Sequence, residues 1–473
     1  MTQFRYFLYL ILAILGMTSI TSCIEDGVST SPSDQPTFSV DTLRMGTVFT
    51  DQVTTTYRMT VYNRHSKVMN ISDIYLSGDN SELFRINVDG SSGTRFNNIE
   101  IRPNDSIFVM VEATLPETGQ NLPIDVNTDL NFVTNGVTQT VVLNATGQDV
   151  VRLHHQIITT DTHLTADKPY QIFDSLVVAP GATLTLDPGT TLHFHDKASM
   201  IVRGTLKSMG TVDNPVNICG DRTGNVITDI TFDLMSRQWE GLYFTPSSTD
   251  NYMTHTCVRN TWYGVIVNGG EAPAEGEIPS DPKLTLHNSR LRNSGDLVLE
   301  VYNASVLATG CEFGEAANGL VYLQGGHHTF NHCTFANYYL FSAIGGPALQ
   351  FANHDILGPG RTTALFSNSI IYGLGSSLSH GDLSGTDISL INCLIKESGS
   401  DDDNFINCLW DKDPLYYTVR NDYIFDYRLK PESPAISAGD PSLTLTQATV
   451  DAYGLNRGST PDLGAYVFTP PTE

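Results

Sequence analysis

Charge is scarce in this chain. Only 16% of its 473 residues are Asp, Glu, Lys or Arg, well below the about 25% usual for soluble proteins. That excludes a disordered polyelectrolyte and a helical array laced with Glu and Lys. Positive charge is scarcer still. Lys and Arg number 26 against 51 Asp and Glu, for a formal charge of −25. No basic surplus exists to displace counterions from a phosphate backbone, so no nucleic-acid partner is expected. The acidic balance also opposes a polyanionic sugar as substrate. It leaves neutral glycans, proteins and divalent cations open. Lys283 is the only lysine between Lys207 and Lys396. The N-terminal apolar run, Tyr6 to Met17, has only twelve residues, too short to span a bilayer comfortably as a helix. The seven cysteines include no Cys-x-x-Cys pair and no accompanying His cluster, so no metal set is assigned to them.

What is present begins with an address. The twelve-residue run has the length of a signal-peptide core, and Arg5 is the one charge before it. Ile20-Thr21-Ser22-Cys23 follows: an aliphatic residue, two small ones and a cysteine. This resembles the bacterial lipobox, with an ordinary secretory signal and an incidental Cys23 as the alternative. The resemblance implies a lipoprotein signal peptide over 1–22, lipidation at Cys23, a mature charge of −26 and a membrane partner held through the N-terminal lipid. Glu25 and Asp26 resemble the surface-export signal of Bacteroidota-type lipoproteins. That implies outer-membrane anchoring with surface exposure, and retention on the inner leaflet stays open. Residues 23–37 read as a flexible tether, Ser/Thr/Pro-rich over GVSTSPSDQPT.

Residues 38–149 carry about eight alternating segments separated by turn signals such as Asp89-Gly90, Pro103-Asn104-Asp105 and Asn135-Gly136. Asn-Gly between two alternating runs is a strong hairpin signal, and this strand density predicts an all-β sandwich. Val61-Tyr62-Asn63, Gly78…Phe84-Arg85-Ile86, Ile101-Arg102-Pro103-Asn104-Asp105-Ser106 and Val141-Val142-Leu143-Asn144-Ala145-Thr146-Gly147 resemble the Hydin/abnormal-spindle class of immunoglobulin-like domains. Such modules are spacers or interaction domains. Asn127-Thr128-Asp129 copies a polygalacturonase tripeptide but lies here without the other motifs, and is read as chance.

Internal repeats organise residues 150–408. Segments 285–291, 307–313, 329–335, 365–371 and 389–395 each place a Ser or Cys two residues before Leu, Phe or Ile. Ser289, Cys311, Cys333, Ser369 and Cys393 are spaced by 22, 22, 36 and 24 residues. The long step is one turn with an insertion or two short turns. Cys257 joins the series 32 residues before Ser289. Residues i and i+2 of a strand share a face, so small and large residues both point inward and stack from coil to coil. The pattern predicts a parallel β-helix whose cysteines, Cys219 included, are reduced core residues. Leu176–Leu192, Ile201–Leu206 and Trp239–Phe244 resemble phrases of the pectin-lyase-like, right-handed parallel β-helix superfamily. That scaffold is shared by lyases, hydrolases, adhesins and non-enzymes. Residues 409–473, with Asp413-Pro414, Ser433-Pro434-Ala435-Ile436-Ser437-Ala438-Gly439-Asp440 and Asp462-Leu463-Gly464-Ala465-Tyr466, resemble the tail of choice-of-anchor Q β-helix proteins. Val467 replaces their final Glu. The expected role is a C-terminal cap that covers an aggregation-prone end. The fold class is thus all-β: immunoglobulin-like sandwich, right-handed parallel β-helix, cap.

Candidate chemistry is thin. The β-helix lacks the ordered motif series of polygalacturonases, and lysine is too rare for a lyase base. Arg259, Arg290, Arg292 and Arg361 are read as solvated strand positions. No lyase activity on uronate polymers is expected, because nothing evident would stabilise the developing anion. Asp401-Asp402-Asp403 beside Asn404 reads as a solvated turn, with weak Ca²⁺ affinity the alternative. His193 and His195 share a strand face next to Asp196, and are read as an outward polar face. His327, His328 and His332 are read alike. His154 and His155 are placed in an interdomain linker, and Asp440, Asp451 and Asp462 in the cap fold. No catalytic, metal or cofactor residues are assigned. Thr42, Ser106 and Ser175, each after Asp and before an aliphatic residue, resemble a bacterial O-glycosylation sequon.

Three functional classes remain. The first is a non-catalytic surface lipoprotein that binds a glycan or a surface protein. The others are a carbohydrate-active enzyme on a neutral glycan and a structural envelope component. A row of Tyr or Trp on one face would favour glycan binding. Three convergent acids in a groove would favour an enzyme.

Overall fold

The computed structural model describes residues 27–227, 230–271, 280–352, 362–378 and 387–470. The signal segment, Cys23 and Arg361 lie outside them. The chain divides into two compact units. One ends at Thr118 and resumes over Pro123–Gln148; the other comprises Gly119–Leu122 and Asp149 onward. Among the described residues every helical turn is a three-residue 3-10 segment, and the rest of the regular structure is strand.

The first unit is a sandwich of two five-stranded sheets. One orders Thr37–Phe38, Tyr57–Tyr62, Ser106–Ala113, Phe84–Val88 and Ser91–Gly93. The other orders Thr42–Phe49, Val137–Gln148, Ile124–Thr134, Met69–Ser77 and Arg95–Ile101. Both contribute to one core, through Met59, Val61, Phe84, Val109 and Val111 from one side and Ile71, Ile74, Phe132 and Leu143 from the other. The Asn135-Gly136 turn has φ of 51° and 78°, the left-handed pair a tight hairpin requires. It aligns Val137 with Thr134. Phe38 to Leu43 alternates in sequence as a single strand would. The structure breaks it, because its two ends pair in different sheets.

The second unit is a three-faced parallel β-helix. The chain runs around each coil from a third face to a first and then a second. The third face stacks Thr162–Leu164, Thr183–Leu186, Thr205–Met209, Asn251–Thr254, Leu284–His287, Val306–Thr309, Gly326–Asn331, Thr362–Ser367, Asp387–Ile391 and Phe405–Ile406. The first face stacks Thr191–Phe194, Val216–Gly220, Thr256–Val258, Arg290–Ser294, Glu312–Ala316, Thr334–Ala336, Ile370–Ile371, Leu394–Ile395 and Leu409–Trp410. The second stacks Ser199–Val202, Gly241–Phe244, Val265–Asn268, Leu299–Tyr302, Val321–Gln324 and Leu349–Phe351. Two longer strands, Val151–Ile158 and Tyr170–Val178, begin the stack and bridge the first and second faces. His154 and His155 therefore belong to the opening strand of the helix, not to a linker. His154 stacks on Phe173 at 4.5 Å.

The repeat alignment survives residue by residue. Thr285, Leu307, Thr329, Leu365 and Ser389 are successive partners. The 36-residue step is one coil with an insertion, since Phe330 pairs directly with Phe366. Inside, like stacks on like. Phe313 lies parallel to Phe335 at 4.9 Å and Phe330 to Phe366 at 4.8 Å, the spacing of adjacent strands. The small inward row shares hydrogen bonds. Ser208 meets Thr256 at 2.7 Å, and Ser289 and Ser369 hydroxyls accept the Thr256 and Cys333 amides. All six described cysteines are free thiols.

Two cysteines depart from the expected core. Thr256, not Cys257, occupies the small inward position. Cys257 pairs with Arg290, points outward and is half-buried. Cys219 lies on an outward row against His193 and is buried there by other groups.

The residue before each small inward one turns the corner from third to first face in a left-handed conformation. These are His255, Asn288, Gly310, His332, Asn368, Asn392 and Asn407, with φ between 42° and 63°. Asn tolerates that region better than most side chains, and Gly310 has no Cβ to oppose it. Amides at this corner and, in Asn331, beside it serve a second purpose. After the last coil the chain turns back as a strap along this corner. Asn392 donates to Ala438 O, Asn368 to Asp440 O, Asn331 to Leu443 O and Asn288 to Val450 O, at 2.8 to 3.3 Å. The cap thus closes a flank. Its three acids hold it in shape. Asp451 accepts the Tyr453, Leu455 and Val467 amides, Asp462 those of Ser437 and Phe468, and Asp440 that of Ser442.

His332 is buried between corner and strap, with Nδ1 3.1 Å from Asp462 O and Nε2 2.9 Å from Thr444 Oγ1. It is not on an outward polar face, and neither is buried His328, whose strand neighbours Val306 and Ala364 also point inward. Burial, and then the nearby Arg457 charge, push His332 down to about 2. An unfolded histidine titrates near about 6.5. The neutral ring therefore contributes stability in full above that pH, and the contribution is lost as pH falls towards the folded value. Urea unfolding of wild type and His332→Asn between pH 7.5 and 4 should show the wild-type advantage shrinking by about 1.4 kcal/mol per pH unit below about 6.5. Parallel curves would mean that the ring takes up its proton equally in the folded and the unfolded protein.

Candidate functional site

Two surfaces of the β-helix gather chemistry. The first is a cleft of about 370 Å³ on the first face. Outward side chains one coil apart form its floor: Asn217, Cys257 and Arg290 in one row, with Arg259 and Arg292 beside them. Asp233 reaches it from an excursion before Gly241–Phe244, and Tyr453 reaches it from the strap. The arginines are not solvated strand positions. Arg259 donates through Nε to Asp233 Oδ1 at 2.5 Å and through Nη1 to Asn217 Oδ1 at 3.0 Å. Arg292 donates to Glu315 Oε2 at 3.2 Å and lies 3.8 Å from Glu312 Oε1. The strap adds two phenols: Tyr427 donates to Glu315 and Tyr466 to Glu312. Burial pushes Glu315 up to about 7 against the pull of Arg292. Arg290 differs. Its Nε donates to the Tyr466 hydroxyl at 3.1 Å, and its guanidinium lies 5.5 Å from the Tyr453 ring centre.

The second surface is aromatic. Along the second face the outward row reads Tyr243, Ile266, Glu300, Tyr322, Gln350, with Tyr302 and Gln324 stacked beside it. Tyr302 and Tyr322 rings meet at 5.6 Å. Trp262 and Tyr263, 37% and 42% exposed, stand at the edge of this face, with Arg237 over the indole at 5.1 Å. Tyr302 donates to Glu300 at 2.6 Å and Tyr322 to Gln324 at 2.9 Å, which fixes the rings as platforms. Burial raises Glu300 above the usual carboxylate range, and Asp296 adds to the effect. Motif reading missed this surface, because the residues of its row lie one coil apart.

The other candidates separate. His193 faces Gly220 O at 3.1 Å and Cys219 Sγ at 3.4 Å, whereas His195 pairs with Asp221 at 2.8 Å. Asp196 is exposed, and His327 meets Thr363 Oγ1. Asp401 accepts the Asn407 and Cys408 amides and the Trp410 indole, and Asp402 those of Asn404 and Phe405. Those carboxylates brace a turn. Among the described residues no group of three His, Cys, Asp or Glu could hold a metal, and no helix is long and apolar enough to cross a membrane. Thr42 and Ser106 are half-buried at strand starts. Ser175 is buried, with its hydroxyl 3.1 Å from His155 Nδ1.

No family model matches the chain, and no curated protein matches it. Among solved structures it is similar to a family 123 glycoside hydrolase from Clostridium perfringens, at 10% identity over 24% of this chain and 26% of that one, with a TM-score of 0.18. The catalytic domain of a GH87 α-1,3-glucanase in complex with nigerose is 8% identical over 68% and 91%, TM-score 0.20. The catalytic unit of a GH87 α-1,3-glucanase from Streptomyces thermodiastaticus strain HF3-3 is 10% identical over 74% and 76%, TM-score 0.16. Scores this low decide neither reaction nor substrate.

Proposed function

We propose that the chain is a cell-envelope lipoprotein, anchored to the outer membrane through Cys23 and exposed at the surface, whose β-helix binds a glycan without cutting it. The supporting observation is the aromatic second face. Tyr243, Tyr263, Tyr302, Tyr322 and Trp262 lie on or beside one row of stacked strands. Rings of this kind present flat apolar area with a polar tip, which suits the C–H faces of sugars. The phenols and Gln324 supply partners for hydroxyls. A neutral glycan agrees with a −25 chain. Glu300, whose acidity burial weakens, is what favours the hydrolase alternative, since a carboxyl of weakened acidity is better suited to donate to a glycosidic oxygen.

One experiment addresses both address and ligand. Cells carrying wild type, Cys23→Ala or Tyr263→Ala/Tyr322→Ala are probed with a fluorescent neutral-glycan array, and the purified mature proteins likewise. At about 1 kcal/mol per lost ring contact, the double variant should stay on cells and bind tenfold or more weakly. Cys23→Ala should leave the cell but keep its binding. Equal binding by the double variant would remove the aromatic face from consideration. Release of new reducing ends, lost in Glu300→Gln, would turn the reading to a hydrolase.

A further inference from the structure

We propose that the first-face cleft is a second carbohydrate subsite, specific for one oxyanion-bearing sugar residue, a carboxylate or a sulfate ester, within an otherwise neutral glycan. The aromatic second face takes no part in this argument. The cleft's charge is the first ground. Arg259, Arg290 and Arg292 line it against Asp233, with Glu312 and Glu315 behind Arg292, so positive groups match acidic ones here in an otherwise strongly acidic chain. A cleft less negative than its surroundings admits one anion while the remaining surface repels a polyanion.

The second ground is an uncommitted arginine fork. Arg259 and Arg292 are both held by carboxylates. Among the described residues no carboxylate lies within ion-pair distance of Arg290, and its one hydrogen bond leaves from Nε, so Nη1 and Nη2 are unengaged. Two parallel N–H donors on a rigid plane match two oxygens of a carboxylate or sulfate. Other polar atoms in the wall are also unsatisfied. Asn288, 4% exposed, has a buried Oδ1 without a partner, and His255 has a buried Nε2 without one. Buried polar atoms left unpaired cost free energy, which a side-chain turn towards a ligand's hydroxyls in the cleft would recover.

The third ground decides for a sugar over an acidic peptide. The floor row lies inside a parallel ladder, with strands paired on both sides. Its backbone groups are spent, so an extended peptide has no edge to join. What the cleft offers besides the fork is a ring. Tyr453, 44% exposed, stands beside the Arg290 guanidinium on the rim, and a pyranose can lie on it. Family-type motifs could not suggest this site, because the strap supplies one wall from more than 150 residues away in sequence.

Calorimetric titration of the mature protein with galacturonate, galactose 6-sulfate, galactose and N-acetylglutamate tests the proposal. At least one acidic sugar should bind tenfold or more tightly than galactose and than N-acetylglutamate, with affinity falling as salt rises. Arg290→Gln should remove that preference. Arg290→Lys, which keeps the charge and loses the fork, should remove most of it. Cys257→Phe leaves Arg290 in place and fills the cleft, so it should abolish binding even if Arg290→Gln proves unstable. Equal affinity for galactose and both acidic sugars would overturn the proposal, as would binding unchanged by Cys257→Phe. Equal binding of N-acetylglutamate would overturn the assignment to a sugar.

Discussion

Cys333→Asp should cost several kcal/mol and deprive the central coils of cooperative melting, whereas Cys333→Ser should melt near wild type. Cys333 is fully buried, with its thiol 3.6 Å from the Ala308 and Asn331 carbonyl oxygens and its amide bonded to the Ser369 hydroxyl. A carboxylate placed there meets carbonyl oxygens, not donors. It either ionises without a partner or takes up a proton at a large cost. A domain's whole stability is only about 5–15 kcal/mol. Serine is already the residue of this row one coil later, at Ser369, and two coils earlier, at Ser289, so its hydroxyl has a precedent in the same geometry. Thermal melting and soluble yield read the difference. An Asp variant that melts with wild type would refute the stacking of Cys333 on Cys311 and Ser369.

Arg457→Met should release the strap, at a cost of about 3–5 kcal/mol. Arg457 is buried, and its guanidinium donates to Ala448 O at 2.9 Å, Gly464 O at 3.0 Å and Ala465 O at 2.8 Å. These carbonyls belong to the outgoing and returning limbs of the strap, so one side chain ties both. Burial lowers its pKa to about 10, and it stays charged at neutral pH. Methionine fills much of the volume but leaves three carbonyls without their donor. Limited proteolysis should then cut between Thr444 and Phe468 while the coil region resists, and far-ultraviolet circular dichroism should change little. Wild-type resistance across that segment would show that the strap is held by packing alone.

The coil register was legible because its signal is periodic. A small residue followed two places later by a large apolar one fixes the phase of each coil, and five such segments align in the structure without slippage. Cys257 misled for an instructive reason. Two residues on stands Arg259, whereas Thr256 is followed two on by Val258. The pattern's own rule selects Thr256, and cysteine chemistry drew attention away from it. The arginines were misjudged because sequence gives strand phase but not cover. Arg292 points outward in register, yet Tyr427 and Tyr466 arrive from the strap to enclose its acidic partners. His332 was misplaced likewise, since alternation fails at a left-handed corner and the strap's path is invisible in the repeats, whereas for His328 alternation with inward Phe330 already gave the inward position. The aromatic face was hidden because neighbours in its row, Tyr243, Ile266, Glu300, Tyr322 and Gln350, stand 22 or more residues apart in sequence.

The returning strap changes how the molecule comes into being. Stacked coils contact only their neighbours, so such a stack can in principle grow and fray one layer at a time. Residues 438 to 450 span the coils from Asn392 back to Asn288 and take an amide hydrogen bond from four of them. They can dock only when those coils already stand in register. A chain delivered N-terminus first therefore assembles layer by layer and is latched at the end, when its last segment runs back over work already done. Until then Glu312, Glu315 and Arg292 remain wet and the first-face cleft lacks its Tyr453 wall. Latching dries the ion pairs and completes the cleft in the same event, so a chain stalled before Asp451 is both loosely stacked and unable to form that subsite.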